Sequence, residues 1–204
     1  MSILEKLSLT EEELTQLAEE NTSFCGVLEG YASEVHFKKI VENTPHITHH
    51  YKPGDNNTIQ KGDRVVTYKG VEISTEVRTI LNCKRIRKHQ TIDGKTCCDG
   101  YFKANSSHLR KLTFSDGSSM MTRNCLINSG IHIYAICIKP MTGKWDFVYC
   151  MTKDLPKGLN CEGTDLQRKE LLTPQILVKY PPEGLWTDDF QIILERTYKY
   201  LTSL

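Results

Sequence analysis

This 204-residue chain has no apolar run approaching the ~20 residues needed to cross a bilayer as a helix, so no such helix is expected. Met1 to Glu20 is acidic and lacks a positive start followed by an apolar stretch, which argues against a secretory signal and for a cytoplasmic protein. Net charge is nearly absent, at +1, which excludes a bulk polycation. There is no internal repeat and no low-complexity tract. Cysteine is plentiful, with eight residues, yet no pair shows the C-x-x-C spacing of a zinc site. In a reducing cytoplasm most should be free thiols, and Cys137 and Cys150, in apolar segments, read as small core residues. The adjacent Cys97 and Cys98 would need a distant partner to hold a metal.

What is present describes an ordinary globular protein, with 39% hydrophobic and 25% charged residues. The length suits one domain. Charge is unevenly spread. From Lys84 to Lys111 there are eight Lys or Arg against Asp93 and Asp99, so that segment carries +6 and the rest −5. Two readings fit it, a face that binds a polyanion or a solvated loop.

Several elements announce themselves. Thr10 and Glu13 form a capping box that opens a helix running to about Asn21, with Leu9 and Leu14 as its staple. A second helix is expected from about Ser23 to Val41, with Val27, Tyr31, Val35 and Val41 on its apolar face and Glu34 at the margin. Glu34 either bonds Lys38, four positions on, or points at the end of a sheet. His46 to Lys61 reads as a loop around Pro53-Gly54. Ile131 to Ile138 is a nearly continuous apolar run, a central strand, and Trp145 to Cys150 should pair antiparallel with it. Thr164 and Gln167 cap a short helix. Thr187-Asp188-Asp189 opens a terminal helix that faces the core through Phe190, Ile193, Leu194, Tyr198 and Leu201. The expected fold is mixed α/β, a central mixed sheet flanked by helices, with N-terminal helices in 1–45, the sheet in 62–156 and C-terminal helices in 164–204.

The chemistry concentrates in Gly62 to Arg78, two strands joined by a turn at Lys69-Gly70. Alternation places Glu72, Ser74, Glu76 and Arg78 on one face and Ile73, Thr75 and Val77 on the other. The hairpin returns Asp63 to the neighbourhood of Glu76. Two carboxylates beside a cation can hold Mg²⁺ or Mn²⁺ and steady a phosphate. Asp63 and Glu76 are the expected metal ligands, with the Val77 carbonyl as a third oxygen, Glu34 assisting and Arg78 at the phosphate. Lys84, Arg85, Arg87 and Lys88 follow and can contact the DNA backbone or base edges.

These residues resemble the PD-(D/E)xK nuclease superfamily, and more closely its type II restriction-endonuclease-like members. Glu34 is similar to the acid of the family's first core helix, Gly62-Asp63 to its first active-site acid, and Glu76-Val77-Arg78 to its E-x-K motif. The resemblance extends through Ser115-Asp116-Gly117, Tyr134-Ala135-Ile136 and Trp145-Asp146-Phe147 to Lys153-Asp154-Leu155-Pro156. It implies a restriction-endonuclease-like core and a Mg²⁺-dependent endonuclease cutting double-stranded DNA within a restriction system, of a kind that often works as a homodimer. Two departures stand out. Arg78 replaces the usual lysine, and arginine keeps its charge and cannot serve as a base. Gly62 stands where proline is usual. His132 lies where related chains carry an acid; it is either a satisfied core group or a site residue. An inactive DNA-binding module on the same fold and a protein-interaction domain are the competing functions.

Overall fold

The computed structural model describes residues 2–54, 62–80, 87–92, 95–106 and 109–203, and for 87–97 it describes the backbone alone. Three helices come first. Ser2 and Glu5 form a capping box for α1 (Ile3–Leu7), and Thr10 and Glu13 form the expected one for α2 (Glu11–Glu20). The long α3 (Thr22–Glu42) follows. Strand β1 (Ile47–Tyr51) then leads to β2 (Arg64–Tyr68) and β3 (Val71–Thr79). The turn between β2 and β3 falls at Lys69 and Gly70, both at positive φ, a conformation that glycine adopts without a Cβ penalty.

The central sheet is mixed and five-stranded, in the order β1-β2-β3-β8-β9, with β8 (Ile133–Cys137) and β9 (Phe147–Met151). β3 and β8 run parallel, so Glu76 sits beside Tyr134, while the other pairs are antiparallel. All five residues of β8 and of β9 are buried, as their unbroken apolar character requires. Alternation divides them between two cores. Ile133, Ala135, Cys137, Phe147 and Tyr149 join Phe37 and Val41 of α3 and Phe190, Ile193 and Leu194 of α6 (Phe190–Thr202). Tyr134, Ile136, Val148 and Cys150 face the other way, onto a second sheet.

That second sheet has the order β10-β5-β4, with β4 (Arg87–Ile92), β5 (Lys95–Lys103) and β10 (Gln175–Tyr180). It contributes Cys98, Phe102, Ile176 and Val178 to its shared core. A hairpin of β6 (Arg110–Thr113) and β7 (Ser119–Thr122) packs Leu112 and Phe114 against Cys161 and Leu171. The expected turn at Ser115-Asp116-Gly117 joins its strands. Short helices α4 (Lys139–Thr142) and α5 (Asp165–Glu170) fill connections, the latter capped by Thr164 and Gln167 as expected. The mixed α/β architecture around a central mixed sheet is therefore the one anticipated.

Four expectations need correction. The segment read as a loop from His46 to Lys61 contains β1, an edge strand of the central sheet, so sheet residues begin well before 62. The C-terminal segment 164–204 is not wholly helical, because β10 lies in it and pairs with β5. Of the basic residues expected to follow on the hairpin, Arg87 and Lys88 lie in β4 (87–92), antiparallel to β5 in the other sheet. On α3, Val27, Tyr31 and Val35 are exposed, and Ser33, Phe37 and Val41 are buried instead. Residues 35 and 37 lie about 200° apart on a helix, so the choice of apolar row selected the opposite face, with Val41 alone correctly placed.

Candidate active site

Asp63 is positioned by its own backbone. Gly62 has φ +91°, and a Cβ there would lie 2.7 Å from the Thr75 carbonyl oxygen. Only glycine enters β2 this way without strain, which accounts for the absence of proline, whose φ is fixed near −65°. The Asp63 N–H then donates to Thr75 O at 2.9 Å. The Val77 N–H donates to Asp63 Oδ2 at 2.8 Å. These bonds hold the carboxylate across the hairpin beside Glu76, as the turn predicted.

Glu76 and Arg78 share a face of β3, and Arg78 Nη2 lies 2.5 Å from Glu76 Oε1. Burial pushes the Glu76 carboxyl up to about 7. Arg78 opposes that rise, while Asp63 and Glu34 add to it. Glu34 enters from α3 and accepts from Lys52 Nζ at 2.6 Å. Its pKa is raised by burial, with Lys52 opposing and Asp63 adding. Lys38 pairs with Glu42 instead, so of the two readings of Glu34 the structure selects the one in which it turns toward the acids. Three carboxylates from three elements thus lie in one another's field.

Among the described residues, no three His, Cys, Asp or Glu side chains converge closely enough to hold a metal ion. Two of the three acids are engaged by protein cations, Glu34 by Lys52 and Glu76 by Arg78. The donor set consists of carboxylate oxygens, the chemistry that hard divalent cations prefer.

All three acids line one cleft of about 1800 Å³. That exceeds the roughly 300–1,000 Å³ of a small-molecule pocket and suits an extended ligand. Its lining also includes Arg78, Lys103 at the end of β5, Arg110 and Lys111 on β6, Arg123 just after β7 and Lys139 on α4. Acids from α3, from the residue just before β2 and from β3, and cations from the second sheet, the β6–β7 hairpin and α4, therefore line one cleft.

His132 precedes β8 and acts as a fastener. Its Nδ1 accepts from the Ser74 N–H at 3.0 Å, its N–H donates to Ser74 O, and its carbonyl accepts from Thr152 N–H. Burial lowers its pKa, which keeps the ring neutral and Nδ1 available as an acceptor. This is the satisfied core group of the two readings. Cys98, Cys137 and Cys150 are buried, and Cys137 and Cys150 are free thiols. Lys84 and Arg85 lie outside the described residues, as do the side chains of Arg87, Lys88 and Cys97.

Nothing in the sequence marked Lys52, which fell in the supposed loop, or Arg123 and Lys139 as companions of the acids. Lys103, Arg110 and Lys111 stood within the basic segment, but only the fold separates them from the rest. Compared with known proteins, the chain matches no family model, no curated protein and no solved structure.

Proposed function

We propose that this chain is a divalent-metal-dependent endonuclease that hydrolyses phosphodiester bonds of double-stranded DNA, built like the PD-(D/E)xK nucleases of restriction systems and acting in the cytoplasm. The observation that carries the reading is that Glu34, Asp63 and Glu76 line one cleft within one another's field, and that six Lys or Arg side chains line the same cleft.

Asp63 and Glu76 are the residues to hold Mg²⁺ or Mn²⁺. When bound, the ion supplies positive charge for the phosphoryl oxygens and acidity for the attacking water. Asp63 needs no reorganisation, because Val77 N–H already fixes one of its oxygens. Glu76 must be ionised and must turn from Arg78, which frees the guanidinium to donate to a non-bridging phosphate oxygen. Arg78 stays charged and is not the base. Glu34, released by Lys52, orients the water from the α3 side.

The Glu76–Arg78 contact also supports a second reading, a DNA-binding module whose second acid is permanently satisfied by its own arginine. A plasmid cleavage assay with Mg²⁺ or Mn²⁺ on wild type and Asp63→Ala separates the two. The nuclease reading expects nicking or linearisation by wild type and a loss of at least about 100-fold in Asp63→Ala, since removing a metal ligand or its support costs about 10–100-fold or more. Intact DNA binding with no cutting under either metal favours the second reading. No binding to DNA even at low salt leaves the protein-interaction domain.

A further inference from the structure

Nine buried side-chain N or O atoms lack a hydrogen-bond partner among the described residues. Four belong to residues lining this cleft: Arg78 Nε, Asn105 Oδ1, Arg110 Nε and Ser129 Oγ. A fifth, the Tyr134 hydroxyl, is on the strand position beside Glu76. Buried polar atoms are satisfied almost everywhere in folded proteins, so a cluster of exceptions marks a place built for a ligand.

The two arginines share one arrangement. Arg78 is tethered through Nη2 to Glu76, and Arg110 through Nη2 to the Cys125 thiol at 3.0 Å. Each guanidinium is thereby fixed by one nitrogen while its Nε–H remains without an acceptor. Both feel the charge of Glu76 and bear on Cys125, so they belong to one electrostatic neighbourhood. Cys125 is buried and burial raises its pKa, so it stays a neutral thiol and leaves the Arg110 charge unspent.

We infer that Arg78 and Arg110 form a two-arginine oxyanion subsite on the inner wall of the cleft, with Arg110 as the residue that grips a backbone phosphate of the bound nucleic acid. The Ser129 and Tyr134 hydroxyls are further donors to the same group, and the Asn105 amide offers its NH₂ on rotation. A planar fork with a fixed orientation suits the tetrahedral array of phosphate oxygens better than a flexible ammonium does. Cys125 acts as a positioning residue, holding the Arg110 plane. The identity of the ligand rests on the nucleic-acid reading above, whereas the oxyanion site stands on the unsatisfied donors.

The test has two arms. In the first, arginine Nε–H resonances of the wild-type protein are followed by NMR as inorganic phosphate is added without metal. The Arg78 and Arg110 signals should both move, assigned by their loss in Arg78→Lys and Arg110→Lys. Unmoved signals at saturating phosphate overturn the subsite whether or not the protein cuts DNA. In the second arm, Arg110→Gln and wild type are compared for binding a short fluorescent duplex across a salt series, with Ca²⁺ in place of Mg²⁺. Affinity should fall roughly tenfold and the log–log salt slope should lose about one unit. Equal affinity and slope in the two proteins overturn the phosphate role of Arg110. A protein that shows the phosphate-induced shifts yet cleaves nothing keeps the subsite and loses the nuclease reading. Circular dichroism confirms that Arg110→Gln is folded.

Discussion

At the scale of single residues, Gly62 and Glu76 decide the site. Gly62→Ala introduces a Cβ 2.7 Å from a backbone oxygen at a φ that L residues rarely adopt. Its expected cost is about 1–3 kcal/mol, read from chemical denaturation, and on the nuclease reading a loss of metal affinity would accompany it because Asp63 moves with it. Glu76 carries the pH dependence. Its carboxyl, pushed up to about 7 by burial, holds its proton more tightly in the folded protein than at its ordinary value of 4.5 in the unfolded chain. Its contribution to stability is therefore fully present below about pH 4.5 and is lost as pH climbs through about 7. On the nuclease reading, metal binding and cleavage would need the carboxylate, would run the other way and should rise with pH through the same window. Glu76→Gln should flatten the melting-temperature profile between pH 4.5 and 7, and an unchanged profile would remove Glu76 as its source. The sequence carried Asp63, Glu76 and Arg78 as neighbours because a two-residue turn leaves a hairpin little freedom of register. It did not carry Lys52 or Arg110, since neither partner is local: Glu34 is 18 positions from Lys52 and Cys125 is 15 from Arg110.

At the scale of elements, α3 shows how a helix with apolar residues all round hides its buried face. Phe37 is fully buried and meets Phe147 and Phe190 at 5.8 and 5.1 Å between ring centroids. Val35, two residues earlier, is 54% exposed. Phe37→Ala should cost about 3–5 kcal/mol in denaturant unfolding, while Val35→Ala should stay within about 0.5 kcal/mol. Comparable losses at both positions would restore the misread face. Capping boxes were legible before α2 and α5 because they are written within four consecutive residues. The Asp189 cap of α6 was legible for the same reason. β1 and β10 were not, because an edge strand need not alternate cleanly and its pairing is settled by distant partners.

At the scale of the whole molecule, the cleft is a junction. Helix α3 and the β2–β3 hairpin bring the acids, and the second sheet, the β6–β7 hairpin and α4 bring most of the cations. A net charge of +1 gives no hint of this, since opposite signs cancel in the sum while remaining apart on the fold. The basic run was legible as a local excess of charge; which of its members face the acids was not. Arg78 belongs to the first group by its strand and to the second by its charge, which is why it restrains Glu76 and, on the proposed reading, would bind a phosphate.

The parallel pairing of β3 with β8 has a consequence for the order in which these parts form. The bond from Val77 to Asp63 spans 14 positions, whereas that from Ser74 to His132 spans 58. Closing the longer loop costs about 1 kcal/mol more in chain entropy, and it must be closed before the strands beyond it reward the effort. The hairpin holding Asp63 against Glu76 can therefore be in place while the chain around it is still searching. Two carboxylates then stand close together in water, where their repulsion is weak, before the second sheet arrives and dries them. Arg78 is already beside Glu76 on β3, while Arg110 comes with the enclosure and adds counter-charge as the acids lose their solvent.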